Sequence, residues 1–340
     1  MSIDPPYIPE FAAAGFLWDI PDDEEQQLVE GVVQGSVDSS SYDDEVVTLP
    51  FHINTQLLWY RKSVAEEAGL DTSQPITWQQ LIEAAEQTGT SIGVQANRYE
   101  GYTVWINALV ESAGGEVLEN PTAPPADLEV GLDSEAGAQA ATVINEIASR
   151  GLGGPAMSTA DEEAARILFQ GDNGGFLVNW PYVWPTWQGE VEAKTLDQSV
   201  VDDFGWTLYP RISSEQPSAP PVGGINLGIG AFSEDPELAY EAAKCITSEE
   251  QQSFYFVDNG SPAALESVYD DKAVQEAYPM ADVLLASMDQ AATRPQTPYY
   301  PEVTFTLQNT WHPPADVDPD QTPQEATDLL LGVLRGEELL

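Results

Sequence analysis

Residues 46–88, VVTLPFHINTQLLWYRKSVAEEAGLDTSQPITWQQLIEAAEQT, carry the pattern from which the fold class is read. Two short runs, 46–51 and 57–60, are rich in β-branched, aromatic and aliphatic residues and have the length of strands. Residues 63–68 then read as a helical turn closed by Gly69. Thr77 caps a helix over 78–88, with Leu81, Ile82 and Ala85 on one face. Short strands alternating with amphipathic helices indicate an α/β fold.

The alternation continues in both directions. Helices are expected at 10–17, 102–113, 134–150 and 161–169, and strands at 176–179 and 225–229. One long helix over 236–257, another over 276–292, a proline-rich crossing at 295–314 and a last helix from Pro323 complete the chain. At 340 residues the chain exceeds the usual size of one hydrophobic core, so two lobes are expected.

Eleven Lys+Arg against 57 Asp+Glu give a net charge of −46. Such a surface repels nucleic acid and anionic membranes, which excludes both as partners. Self-repulsion on this scale is relieved where the Debye length shrinks to about 3 Å, near 1 M salt, so the composition suits a halophilic setting. Cys245 is the one cysteine, which excludes an intrachain disulfide, and it is expected as a small core residue in the stripe Leu238, Ala242, Cys245, Ile246. With two histidines, His52 and His312, a structural zinc site lacks ligands, and neither a metal nor a cofactor is expected. Asp316, Asp318 and Asp320 have the spacing of a calcium loop, but Pro319 and Gln321 break it, so the run reads as a solvated linker.

No nucleophile elbow, P-loop or dinucleotide fingerprint is present. The informative run is Asn179-Trp180-Pro181-Tyr182-Val183-Trp184-Pro185, directly after an expected strand. Open α/β sheets place ligands at strand exits, and a flat indole stacks on the apolar face of a pyranose. Leu49 to Thr55 ends a strand in polar groups, and Arg294 sits in a proline-braced segment where a guanidinium fork suits vicinal hydroxyls or a carboxylate.

Together these segments resemble the family 1 extracellular solute-binding proteins of ABC importers, most closely the trehalose/maltose-binding type. The likeness runs in order through Pro9-Glu10-Phe11-Ala12-Ala13-Ala14-Gly15, Leu49 to Asn54, Leu58-Trp59-Tyr60-Arg61-Lys62 and Glu67-Ala68-Gly69-Leu70. It continues through Thr77-Trp78, Phe169-Gln170-Gly171, Asn179-Trp180-Pro181-Tyr182, Gly223-Gly224, Arg294-Pro295 and Thr322 to Ala326. The resemblance implies a type II periplasmic-binding-protein-like fold, two α/β lobes joined by a hinge of several crossings. Lobe 1 would hold 1–56 and 224–260, and lobe 2 would hold 57–223 and 261–340, part of the last segment packing on lobe 1.

It also implies an extracellular lipoprotein that acts as a monomer and is no enzyme. It would capture a di- or oligosaccharide between its lobes and deliver it to ABC permease transmembrane subunits. The implied substrate-binding residues are Asp4, His52, Asn54, Trp180, Tyr182, Gly224, Asn226 and Arg294, the last reaching in from the second lobe. His52 and Asn54 replace an aromatic and an aspartate of the family pattern, and Ile225 replaces a stacking ring, with Asn226 as a compensating polar contact. A glycoside hydrolase, or a binding protein for another solute such as iron through Tyr299-Tyr300, stay open as alternatives. Because Ile3-Asp4 resembles the end of a later strand, the first lobe is expected to lack its signal and a leading strand–helix–strand unit.

Overall fold

A proline cannot donate to a strand ladder, and it is after Pro50 that the ladder of the first sheet shifts register. The computed structural model describes residues 1–339. Its seven main strands are β1 (Ser2–Ile3), β2 (Leu49–Asn54), β3 (Leu57–Arg61), β4 (Ser91–Gly93), β5 (Gly174–Asn179), β6 (Phe204–Thr207) and β7 (Gly223–Leu227). The chain divides into two units: unit 1 holds Met1–Thr55 and Pro221–Tyr300, and unit 2 holds Gln56–Pro220 and the segment from Pro301 onward.

Unit 1 is built on a sheet of order β1-β7-β2, antiparallel throughout. The β2–β7 register pairs Pro50 with Asn226 and His52 with Ile225, so Phe51 is the extra residue of a bulge. Helix Pro236–Ile246 covers the sheet by packing Tyr240 and Ala243 on Ile20, Leu49 and Ile229. Helix Glu249–Asn259 brings in Phe256, whose ring lies 5.5 Å from Tyr269 and 4.8 Å from Tyr278.

Unit 2 is built on a mixed sheet of order β4-β5-β3-β6. Strands β4 and β5 run parallel, and β3 runs antiparallel to both β5 and β6. All six residues of β5 are buried, as a strand covered on both faces requires. Beside it Trp59, Phe169, Trp187 and Phe204 pack ring against ring at 4.6–5.6 Å. Arg61 closes the preceding helix, Glu162–Gln170, by donating to the carbonyls of Phe169, Gln170 and Gly171 at 2.8–3.3 Å. Helix Trp78–Thr88 starts in a full capping box between Thr77 and Gln80.

The structure corrects several expectations. Residues 261–300, expected in lobe 2 with part of 261–340 packing on lobe 1, all belong to unit 1: Val33 N–H donates to the Ala264 carbonyl, Glu266 N–H donates to Gly31, and Tyr269 and Tyr278 enclose Phe256. The expected helix over 236–257 is two, broken at Thr247-Ser248, where the Thr247 carbonyl accepts from the Gln252 amide instead of a helical N–H. The helix expected over 276–292 is likewise two pieces, Lys272–Ala277 and Ala281–Met288, with Pro279 at the break. The crossing expected at 295–314 contains helix Tyr300–Thr310, because Pro301 lies in its first turn, where a missing N–H costs nothing. Cys245 is exposed, together with Leu238 and Ile246, since Tyr240 and Ala243 form the inward face of that helix.

Candidate functional site

In unit 2 the candidate residues follow β5. Asn179 is fully buried and its side chain organises the strand exit. Its Oδ1 accepts from Trp180 N–H at 2.8 Å and from Gln95 Nε2 at 3.3 Å, and its Nδ2 donates to the Glu162 carbonyl at 2.9 Å. Trp59 Nε1 donates to the Asn179 backbone carbonyl at 3.1 Å, tying the exit to β3. The chain therefore leaves the sheet with a fixed direction. Within the aromatic run the rings divide their work. Trp187 is fully buried in the core, and Trp184 packs edge-on to Trp206 at 5.4 Å. Trp180 stays half-exposed and packs on no other ring among the described residues.

Tyr182 departs from the expectation. Its ring is half-buried, but its hydroxyl is buried beside the Glu163 carboxylate. Burial first, and that carboxylate second, push the phenol well above its ordinary value. Its hydroxyl is therefore shut off from solvent. Glu163 itself is held below the usual carboxylate range by its hydrogen bonds to Arg166, whose Nη2 lies 2.8 Å away.

Unit 1 holds the other candidates. His52 and Asn54 lie on β2 opposite Ile225 and Gly223. The bulge at Phe51 turns consecutive rings towards one partner: Phe51 lies 5.0 Å from Tyr255 at 31°, and His52 lies 5.5 Å from it at 45°. Burial holds the His52 imidazole at a pKa of about 4, so the ring is neutral, and its buried Nδ1 has no hydrogen-bond partner. Asn54 is half-buried, and its Oδ1 accepts from Thr55 N–H at 3.0 Å.

Gly224 contributes backbone alone. At φ +117° it lets β7 approach so closely that a Cβ there would lie 2.2 Å from the His52 carbonyl oxygen. Asn226, expected as a polar contact for ligand, is 1% exposed, and its amide donates to the Ser39 carbonyl at 3.1 Å. Its donor side is thus engaged by Ser39 inside the unit.

Arg294 is also corrected. It lies in unit 1, not in the second lobe, and its side chain is 3% exposed. Its Nη2 donates to Asp4 Oδ1 at 2.7 Å and its Nη1 to Asp4 Oδ2 at 3.3 Å. Asp4 remains 34% exposed and makes no side-chain cap to the turn it precedes. Unit 1 thus brings Asp4 and Arg294 together, and separately brings His52 and Asn54 against Gly223 to Ile225. Asn179 and Tyr255 are the residues that sequence reading passed over. Asn179 was inside the quoted motif without a role, and Tyr255 sits in a helix whose periodicity gives no sign of its ring partners.

Among the described residues no group of three or more His, Cys, Asp or Glu side chains is placed to hold a metal ion. No helix of the described residues is long and apolar enough to cross a membrane.

The chain has relatives among known proteins. A "Probable ABC transporter-binding protein" of Deinococcus radiodurans is 25% identical over 272 residues, covering 77% of this chain and 61% of its own. The galactooligosaccharide-binding protein of Bacillus subtilis is 22% identical over 275 residues, covering 79% and 60%. The match thus spans about three fifths of the length of these curated relatives. Among solved structures, maltose-bound MalE3 of T. maritima superposes with a TM-score of 0.82 at 27% identity, covering 98% of this chain and 83% of that one. A ribitol-bound ABC transporter solute-binding protein of Agrobacterium radiobacter, at 20% identity and a TM-score of 0.80, covers 98% and 84% and shares the fold. The fold is that of the type II periplasmic binding proteins, two α/β units with three chain crossings, after Thr55, Pro220 and Tyr300. The family model for bacterial extracellular solute-binding proteins matches residues 1–253, and the chain belongs to that family.

Proposed function

We propose that this protein is the ligand-capturing component of an ABC importer and that its ligand is a carbohydrate, in first place a di- or oligosaccharide. The observation that carries the reading is Trp180: an indole fixed at a strand exit by Asn179, half-exposed, and left without a ring partner among the described residues. An indole in that state offers a flat apolar face to a pyranose. In unit 1 the half-buried carboxylate of Asp4 and the half-buried Asn54 supply the acceptors and donors that hydroxyls need. Two likenesses support the same class, maltose-bound MalE3 at 27% identity and the galactooligosaccharide-binding protein at 22%. Under this reading the protein works outside the cell, tethered to the membrane, and hands its ligand chemically unchanged to the transmembrane subunits of the permease. The charge of −46 fits work in concentrated salt.

The test is a thermal-shift panel of maltose, trehalose, ribitol, mannitol, amino acids and ferric iron in molar KCl. A sugar should raise the melting temperature and be recovered intact, and Trp180→Ala should remove the response. A response confined to iron or amino acids, or recovery of cleaved sugar, overturns the reading. Lowering KCl from about 2 M to 0.1 M should depress the melting temperature by ten degrees or more, as unscreened repulsion returns. An unchanged midpoint would remove the halophilic reading.

A further inference from the structure

We infer that Arg294 acts on ligand through Asp4 and makes no contact with the sugar itself: it is a positioning residue. The inference rests on the carbohydrate reading above and assigns a role that the resemblance did not imply, since there Arg294 was a direct contact.

The geometry is a closed circuit inside unit 1. Asp4 accepts the Arg294 fork on both carboxylate oxygens, at 2.7 and 3.3 Å. The Arg294 guanidinium carbon lies 5.9 Å from the Tyr300 ring centroid. The Tyr300 ring meets Tyr7 edge-on at 5.3 Å. Tyr7 N–H then donates to the Asp4 carbonyl at 3.0 Å, because Asp4 and Tyr7 bracket one short 3-10 turn, Pro5–Tyr7. Pro5 fixes the backbone immediately after Asp4, and Tyr300 is fully buried. The last link holds the Asp4 backbone, the ring contacts hold the guanidinium, and the fork holds the carboxylate by both oxygens.

The division of exposure points the same way. Arg294 is 3% exposed and Asp4 is 34% exposed, so the acid is the member that an incoming hydroxyl can reach. An ionised carboxylate has about four acceptor positions on its two oxygens. The fork takes one on each oxygen and leaves one on each for ligand. Removing one partner of a buried ion pair is destabilising, whereas the intact pair adds little net stability over an apolar substitute. Orientation of a carboxylate is the work for which such a pair is suited.

The experiment is a double-mutant cycle read by titration calorimetry in molar KCl, with maltose as probe and trehalose, ribitol and mannitol as alternates. Asp4→Asn and Arg294→Lys should each weaken maltose roughly ten- to a hundredfold, the scale of one charged hydrogen bond. The double variant should bind no worse than Asp4→Asn alone. Losses that multiply in the double variant mean that Arg294 touches sugar, which overturns the inference. So does an Arg294→Lys protein with a lowered melting temperature but wild-type affinity, since that is the signature of a purely structural pair.

Should Arg294→Lys fail to fold, wild-type protein with labelled arginine and aspartate side chains decides the matter by NMR. On maltose addition the Asp4 carboxyl carbon should shift while the Arg294 Nη signals hold their place; the reverse pattern overturns the inference. Absence of binding by all four compounds defeats the carbohydrate reading and this inference with it, an outcome distinct from binding that ignores Arg294.

Discussion

Gly224 offers the sharpest test of how the unit 1 sheet holds its candidate residues. A methyl added there would meet the His52 carbonyl oxygen at 2.2 Å and Ile53 Cα at 2.9 Å. Both are backbone atoms, so no side-chain rotation relieves the contact. An acceptable separation is about 1 Å longer, and β2 and β7 would have to move apart where Gly224 pairs with Ile53. A side chain at φ +117° adds about 1–3 kcal/mol of backbone strain. Loosening two ladder hydrogen bonds adds about 1 kcal/mol each.

Gly224→Ala should therefore cost about 3–5 kcal/mol. Two other glycines calibrate the measurement. Gly69, at φ +68° with no atom near its added methyl, should lose only about 1 kcal/mol on replacement by alanine. Gly189, in helix Val183–Glu192 with open space around it, should gain up to about 1 kcal/mol. Urea unfolding of the three variants at one fixed KCl concentration measures the series. A Gly224→Ala protein within 1 kcal/mol of Gly69→Ala would refute the steric argument, whatever its effect on ligand.

Three further outcomes are expected. Asn179→Ala removes buried partners of Trp180 N–H and the Glu162 carbonyl; it should cost about 2–3 kcal/mol in unfolding measurements and weaken any ligand that stacks on Trp180. Burial, with Glu116 second, raises Glu111 to about 8, so the native state holds a proton that the unfolded chain has released, and stability falls as pH rises from 4.5 towards 8. Glu111→Gln should therefore gain on wild type between pH 6 and pH 9 by about 2 kcal/mol in urea midpoints. His52 is displaced the other way, to about 4, so its contribution is lost as pH falls from 6.5 towards 4; His52→Asn should narrow its stability gap to wild type by about 2 kcal/mol over that window, and a gap that stays constant refutes the burial assigned to the ring.

Much of the architecture was legible because it rests on local rules. The capping box at Thr77 and Gln80, the left-handed Gly69 at a helix end and the β-rich runs that became β2, β3 and β5 depend on neighbours a few positions away. The limits of that reading are equally physical. One apolar stripe, Leu238 to Ile246, has helical spacing and still faces solvent, because spacing identifies a face without saying what covers it. The break at Thr247-Ser248 hangs on a hydrogen bond from Gln252, which periodicity does not record.

For the candidate site, residue type fixed the chemistry that could be offered: an indole after a strand, a carboxylate at the end of another, amides and an arginine in braced segments. What each group is free to do was decided by contacts between residues far apart in the chain. Asn226 and Arg294 read alike in sequence as polar groups for a ligand, yet one donates to Ser39, 187 positions away, and the other to Asp4, 290 positions away. Composition and pattern set which elements form and what functional groups they carry, because those follow from propensity and local sterics. Which polar atoms remain unsatisfied, and so available to ligand, depends on the burial and hydrogen-bond partners that appear only when distant segments pack.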